Sequence, residues 1–305
     1  MKKILLITLS LCAFLCADEF VESSSTFGGY GEMHYDMEGN DGDGKLDFHR
    51  FIIYYKHQFD GEWSMMSEVE IEHNMVGSSE ALGYKGGYVA LEQAFLNYWN
   101  GDWGFKGGVL LVPTGITNEY HEPPTFMSVE RPEYNKYIIP STWFDNGFSF
   151  YGSMGDINWN YTMVGDLNGN DIGEGIRNGR MKGFGSSTSS WTKTLQASWM
   201  GMEGLKVGGS LTMNDAPADA IADSGDCGSG TEDCNNAITR DAVGVNLFEV
   251  NATYSKDNMY ARLEYGSIDY TDNLHQTAMT TGLTEVSSSS GYYLDLGYNV
   301  ADMMD

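Results

Sequence analysis

Carboxylates dominate the chemistry this chain can offer, and three of them, Glu68, Glu70 and Glu72, recur two residues apart in SMMSEVEIEHN. Period two puts all three on one face of a strand and Val69 and Ile71 on the other. Like charges at that spacing repel, so they suit a water-filled space or a solvated sheet face, where they gather cations and turn anions away. A second set lies in LLVPTGITNEYHEPPTFMSVERPEYNKYIIPSTWFDNG, which carries Glu119, His121, Glu122, Glu130 and Glu133 against Arg131 and Lys136. His121-Glu122 lacks the second histidine of a zinc-protease motif and runs into Pro123 and Pro124, so this pair tunes charge rather than catalyses. There is no nucleophile elbow, paired-cysteine zinc motif or phosphate-cradling glycine loop, and no enzyme, metal or cofactor is expected. Asp166, Asn168, Asn170 and Asp171 are spaced loosely like a calcium loop. Asp171 and Arg177 stand where its Gly and Glu belong, so the stretch reads as a solvated loop.

The elements that must hold these groups are strands. Apolar and polar residues alternate in INWNYTM, LKVGGSLTMN and GYYLDLGYNV, and no comparable stretch shows helical spacing. About twelve strands are expected, near 26–36, 45–59, 63–74, 88–99, 103–113, 146–154, 157–166, 192–200, 205–214, 241–255, 259–270 and 291–300. The strand at 241–255 breaks phase near Leu247 and Phe248, which means a bulge or a misplaced boundary. DGE, NGD, GD, GMEG and KDN join alternate pairs as tight turns. Every other connection is long and polar.

Composition narrows the setting. The chain opens MKKILLITLSLCAFLCA, a basic start, an apolar run of about 13 residues and a small residue, as in a secretory signal peptide over 1–17. That run is too short to span ~30 Å of hydrocarbon. Cys227 and Cys234, in an Asp- and Gly-rich loop of an exported chain, are expected to form a local disulfide. A net charge of −26 excludes a nucleic-acid partner. With 41% hydrophobic and 13% aromatic residues the chain nevertheless folds.

Strands of about ten residues with short turns at one end and long loops at the other describe an antiparallel transmembrane β-barrel over 18–305. Trp63, Trp99, Trp103, Trp159 and Trp199 fall near the short-turn ends, where an interfacial girdle belongs. Val69, Ile71, Tyr161, Leu205, Val207, Leu211 and Leu296 are then expected to face lipid. Arg50, Glu68, Glu70, Glu72, Arg262, Glu264 and Asp295 are expected to line the lumen. Five of the 6 prolines lie in the third long loop, at 113, 123, 124, 132 and 140. Its aromatic residues Tyr120, Phe126, Tyr134, Tyr137, Trp143 and Phe144 need a surface to bury against. Residues 114–145 are therefore expected to fold inward as a constriction, with an outward lid packed on neighbouring loops as the alternative.

DFHRFIIYYKHQF, LEQAFLNYW, LLVPTGITNEYHEPPTF and ERPEYNKYIIPSTWFDNGFSFYG together resemble bacterial outer-membrane porins of the phosphate-selective O/P type and their uncharacterised relatives. The resemblance is strongest over 26–154. It implies a barrel of about sixteen strands, often trimeric, in the outer membrane, in contact with lipid and lipopolysaccharide and passing small hydrophilic solutes or ions. Two departures are visible. Arg50, Arg131, Lys136 and Arg262 are too few for an anion ladder, so a mild cation preference is expected instead. The chain also ends LGYNVADMMD without a terminal aromatic strand, so about four strands are expected beyond it, unless twelve close by themselves. The competing function is a structural or adhesive surface barrel with a plugged lumen. A lipid-facing esterase would need a partner for His73, and the sequence offers none.

Overall fold

In the computed structural model the described residues are 23–37, 44–59, 61–74, 76–79, 84–128, 130–172, 175–218, 242–274 and 286–300. The signal segment, Cys227, Cys234 and the last five residues lie outside them.

Twelve strands form one antiparallel sheet in which nearly every neighbour in space is the neighbour in sequence. They are β1 (Ser24–Met37), β2 (Gly44–Gln58), β3 (Trp63–Glu72), β6 (Val89–Trp99), β7 (Trp103–Leu111), β8 (Phe144–Met154), β9 (Ile157–Val164), β10 (Thr192–Met202), β11 (Leu205–Asn214), β12 (Val245–Lys256), β13 (Met259–Leu274) and β14 (Val286–Tyr298). Two-residue strands β4 (Ser78–Ser79) and β5 (Tyr84–Lys85) pair with each other between β3 and β6. The expected strands are all present, and most boundaries move by only a few residues. The tight turns form as read: Asp257 and Asn258 both take positive φ, 52° and 62°, which suits a two-residue hairpin.

Alternation gives the sheet two faces. Phe148, Phe150, Leu195, Val207, Leu211, Leu263 and Leu296 are exposed on one, and Ser149, Thr194, Ser210, Glu264 and Tyr293 are buried on the other. The apolar face carries the residues expected to meet lipid, Val207, Leu211 and Leu296 among them. Trp63, Trp103 and Trp199 stand on it near the tight turns. Trp99 instead stacks on Tyr151, with ring centroids 5.3 Å apart. The phase break expected at Leu247 and Phe248 is a boundary error. Strand β12 begins at Val245, pairs without a register shift on both sides, and buries Val245, Leu247 and Glu249 while exposing Asn246, Phe248 and Val250. Leu247 misleads because it joins an apolar cluster on the otherwise polar face.

That cluster is the hydrophobic core. Strand residues Leu110, Val164, Val245, Leu247, Ile268 and Tyr293 meet loop residues Val112, Tyr134, Ile138, Ile139, Trp143, Leu167, Ile172 and Ile176. The proline-rich segment is aromatic because it builds this core with the sheet. Trp143 and Phe144 are buried as expected, whereas Tyr120 and Tyr137 are exposed.

Candidate functional site

Residues 112–143 join β7 to β8 through two single-turn helices, α1 (Ile116–Glu119) and α2 (Tyr134–Tyr137). Prolines restrict the connecting backbone and stop longer helices forming. The segment contacts strands far away in sheet order. Thr114 Oγ1 lies 2.8 Å from Ser210 Oγ on β11, and Ile116 N–H donates to Glu264 on β13 at 2.8 Å. Thr117 Oγ1 lies 2.9 Å from the Tyr293 hydroxyl on β14, and Gln196 on β10 donates to Glu119 at 2.8 Å. Arg262 donates to the Thr125 carbonyl at 3.2 Å. All these partners belong to the polar face.

A glycine seat receives α2. Gly266 and Gly291 are cross-strand partners on β13 and β14. A Cβ at Gly266 would lie 2.4 Å from the Tyr134 hydroxyl, and one at Gly291 would lie 3.0 Å from Ile138. The missing side chains allow the helix to rest directly on the sheet.

A buried cluster of carboxylates and an imidazole anchors the other end. Glu68 on β3, Glu92 on β6, and His121 and Glu122 from the loop offer ligand atoms that all lie within 4.8 Å of one another. A β-bulge creates this approach. Glu68 pairs with Gln93 and Val69 with Leu91, which leaves Glu92 as the extra residue and turns it to the same side as Gln93. His121 Nε2 is 2.9 Å from Glu92 Oε2 and 3.0 Å from Glu122 Oε1. Its Nδ1 is 2.9 Å from the Asn118 carbonyl, which can only accept, so Nδ1 carries a proton. Burial pulls the imidazole down, but the bond to Glu92 and its charge outweigh this and raise it above the ordinary range. Burial pushes the Glu122 carboxyl up to about 7 against the opposing charge of Arg131.

Basic groups gather beside this cluster. Arg131 and Arg177 donate to Ser141 Oγ at 2.6 and 3.4 Å, and Arg180 donates to the Ser141 carbonyl and, at 2.9 Å, to Thr142 Oγ1. Among the described residues none of the three has a carboxylate partner within ion-pair distance. Burial and the neighbouring Arg177 and Arg131 pull the Arg180 guanidinium down. Sequence reading found Arg131 but missed Arg177 and Arg180, which the fold of residues 175–191 brings in, Glu92, which the bulge in β6 places, and Glu249, hidden by the misread phase of β12.

The other expected residues divide by location. Glu70 is buried against Arg50, 3.2 Å away, and Arg50 also pairs with Glu32 at 2.8 Å. Glu72 is half-buried, while Glu264 and Arg262 are buried under the loop. Glu130, Glu133 and Lys136 are exposed. His73 is not partnerless: its Nδ1 lies 2.8 Å from Asp47, which also meets His49 at 3.1 Å. Asp166 is not solvated. It is buried and accepts from Ser187 at 2.6 Å, Ser189 N–H at 2.7 Å and Asn214 at 2.9 Å.

Open space remains under the loop on the polar face. One cavity of about 510 Å³ is bordered by Gln93, Trp99, Lys106, Glu119 and Lys206, and a second of about 610 Å³ by Glu119, Thr125, Lys206 and Arg262. Glu119, Tyr120, Gln196, Ser198 and Lys206 border both, and Gln196 is bonded to Glu119 there.

No protein-family model matches the chain. An uncharacterized protein of Aquifex aeolicus (strain VF5) is 40% identical over 149 residues, which is 48% of this chain and 33% of that relative. OmpF of Salmonella typhi, solved in complex with daunomycin, superposes with a TM-score of 0.57 at 12% identity over 91% of this chain and 74% of its own. OmpT of Vibrio cholerae in its trimer form gives 0.46 at 12% identity, over 83% and 68%. The fold is that of outer-membrane porins, and no comparison singles out the phosphate-selective O/P type.

Proposed function

We propose that this chain is an outer-membrane porin, a passive channel for small hydrophilic solutes or ions, with no catalytic step. The observation that carries the reading is the pair of cavities between residues 112–143 and the sheet, the first mainly polar in lining and the second mixed, which adjoin at Glu119, Tyr120, Gln196, Ser198 and Lys206. In this reading the strands close into a barrel and the segment folds inward as its constriction. Assembly as a homotrimer belongs to the same reading and draws on the resemblance to porins.

Selectivity follows from where the charges stand. Glu68, Glu70, Glu249 and Glu264 are buried beneath the loop, so they do not ring open water. The cavity walls are mixed, with Lys106, Lys206 and Arg262 facing Glu119 and Glu203. A mild cation preference then comes from the field of the whole chain, at net charge −26, rather than from a carboxylate ladder. The test is the zero-current potential across a salt gradient in a planar bilayer. Open channels with a cation-selective sign support the reading. An anion-selective sign assigns the narrowest point to Arg131, Arg177 and Arg180.

The apolar core formed by Ile139, Trp143, Leu167 and Ile176 over the polar face favours a second reading, a structural surface barrel with a plugged lumen. Folded protein that opens no channels would select it.

A further inference from the structure

The buried cluster at Glu68, Glu92, His121 and Glu122 presents an electrostatic problem that the channel reading does not solve. With Nδ1 protonated, His121 Nε2 faces two carboxylate oxygens at 2.9 and 3.0 Å, and even a second proton there would set one positive charge among three carboxylates. Three acceptor atoms cannot lie so close without a positive centre among them. Beyond these contacts Glu68 Oε1, Glu92 Oε1 and Glu122 Oε2 are buried and have no hydrogen-bond partner. Glu68 and Glu92 are each 1% exposed, so water does not screen them. Among the described residues no Lys or Arg nitrogen pairs with Glu68, Glu92 or Glu122: Arg50 is engaged by Glu32 and Glu70. The nearest other groups are the Gln93 amide, which donates to Glu68 at 2.5 Å, the Tyr54 hydroxyl beside Glu68, and the carboxyl of Glu70 beside Glu92. Lys182 and Arg131 act on Glu92 and Glu122 only through their charge, beyond ion-pair distance.

We propose that Glu68, Glu92, His121 and Glu122 bind one divalent transition-metal cation, of the Mn²⁺ or Zn²⁺ kind, which ties the loop to β3 and β6. Donor spacing fits such an ion. Two ligands at right angles around a cation at ~2.1 Å lie ~3.0 Å apart, close to the two separations at Nε2. Donor chemistry selects the class: an imidazole nitrogen among carboxylates suits first-row divalent metals, whereas Mg²⁺ and Ca²⁺ prefer oxygen alone. The bond from Nδ1–H to the Asn118 carbonyl fixes the ring with Nε2 free to coordinate, as the outer partners of metal-bound histidines do. Gln93 orients Glu68 in the same manner. The second histidine cluster does not make this demand, because the single carboxylate of Asp47 can accept from the Nδ1–H of both His49 and His73.

The site is tested by titrating Mn²⁺ into metal-stripped, refolded full-length protein, reading bound metal by equilibrium dialysis and its ligands by pulsed electron paramagnetic resonance. The expected result is one tightly held Mn²⁺ per chain with ¹⁴N coupling from an imidazole, displaced by Zn²⁺ and not by equal Mg²⁺. His121→Gln should abolish the nitrogen coupling and weaken binding at least tenfold, while Glu203→Gln, an exposed partner of Lys256, should leave both unchanged. Because His121→Gln can fail to fold, a protein carrying His49→Gln and His73→Gln is the second variant: a nitrogen signal that persists in it supports the proposal, and one that it abolishes overturns it. Bound Mn²⁺ without that coupling, or no bound metal at all, overturns the proposal and leaves a proton on Nε2 as the positive centre. Binding does not depend on whether the barrel conducts, so failure here and failure of the channel reading are separate results.

Discussion

Asn118 holds Trp143 across the neck of its own loop: its Oδ1 accepts from the Trp143 N–H at 2.7 Å, and its Nδ2 donates to the Trp143 carbonyl at 3.1 Å and to the Val112 carbonyl at 2.7 Å. Both ends of a thirty-residue excursion are thus pinned by one buried amide. Asn118→Ala should leave the Trp143 N–H buried without an acceptor, at a cost of about 1–3 kcal/mol. The check is thermal unfolding of the folded form, with protease cleavage in 119–140 as a second readout. An unchanged midpoint and unchanged cleavage would show that packing and the bond from the Val112 N–H to the Trp143 carbonyl, at 2.9 Å, hold the neck without Asn118.

The glycine seat makes a sharper test of what the loop does. Gly266→Val brings side-chain carbons against Tyr134, Ile138 and Ile139, where a Cβ alone would already lie 2.4 Å from the Tyr134 hydroxyl. Strand β13 itself tolerates valine, which favours sheet structure. The expected outcome is a folded barrel with α2 lifted, larger single-channel conductance and faster cleavage of the loop. Conductance equal to wild type in a variant whose loop is cleaved faster would contradict the constriction role.

Much of this was legible in the sequence because a sheet with one apolar and one polar face writes its period directly into the chain. INWNYTM and LKVGGSLTMN gave their strands almost to the residue. The positive-φ pair Asp257 and Asn258 could be read as a turn from residue type alone. What was hidden depended on single insertions and on contacts remote in sequence. Glu92 reads as one more alternating residue until the extra position in β6 turns it beside Gln93. Arg177 and Arg180 lie in a stretch whose local pattern says only loop, and they reach Ser141 through the folding of two loops onto each other. Gly266 and Gly291 were visible, but their meaning needed the register that makes them neighbours.

Asp166 carries a pH dependence that can be isolated. Burial opposes its ionisation, but hydrogen bonds from Ser187, Asn214 and the amides of Ser189 and Ser190 prevail and hold the carboxyl below its usual 3.8. A lowered folded value contributes stability above the unfolded value, lost as pH falls through the folded one. Hydrogen exchange at the Ser189 and Ser190 amides should therefore be slow at pH 6 and accelerate below about pH 4, beyond the intrinsic trend. Asp166→Asn should exchange quickly at both pH values. If the variant keeps the wild-type protection at pH 6, the carboxylate is not what holds residues 186–190 in place.

The charges around the cavities decide selectivity, and their positions allow opposite expectations for two small changes. Glu119 stands between both cavities with only Gln196 on its carboxylate. Arg131, Arg177 and Arg180 share Ser141 and Thr142, with no carboxylate within ion-pair distance among the described residues. Neutralising Glu119 as Glu119→Gln should lower the cation-to-anion permeability ratio by roughly twofold, and Arg177→Gln should raise it by a similar factor. Arg177 is the better of the three arginines to change, because its two side-chain bonds, at 3.3 and 3.4 Å, are long and their loss is tolerable. Zero-current potentials at low and high salt separate a local from a global origin. Field lines from the whole chain are screened beyond ~3 Å at 1 M salt, whereas a charge at the narrowest point still acts there. Persistence of the Glu119→Gln effect at 1 M places that carboxylate at the constriction. Its disappearance at 1 M assigns the preference to the acidic surface as a whole.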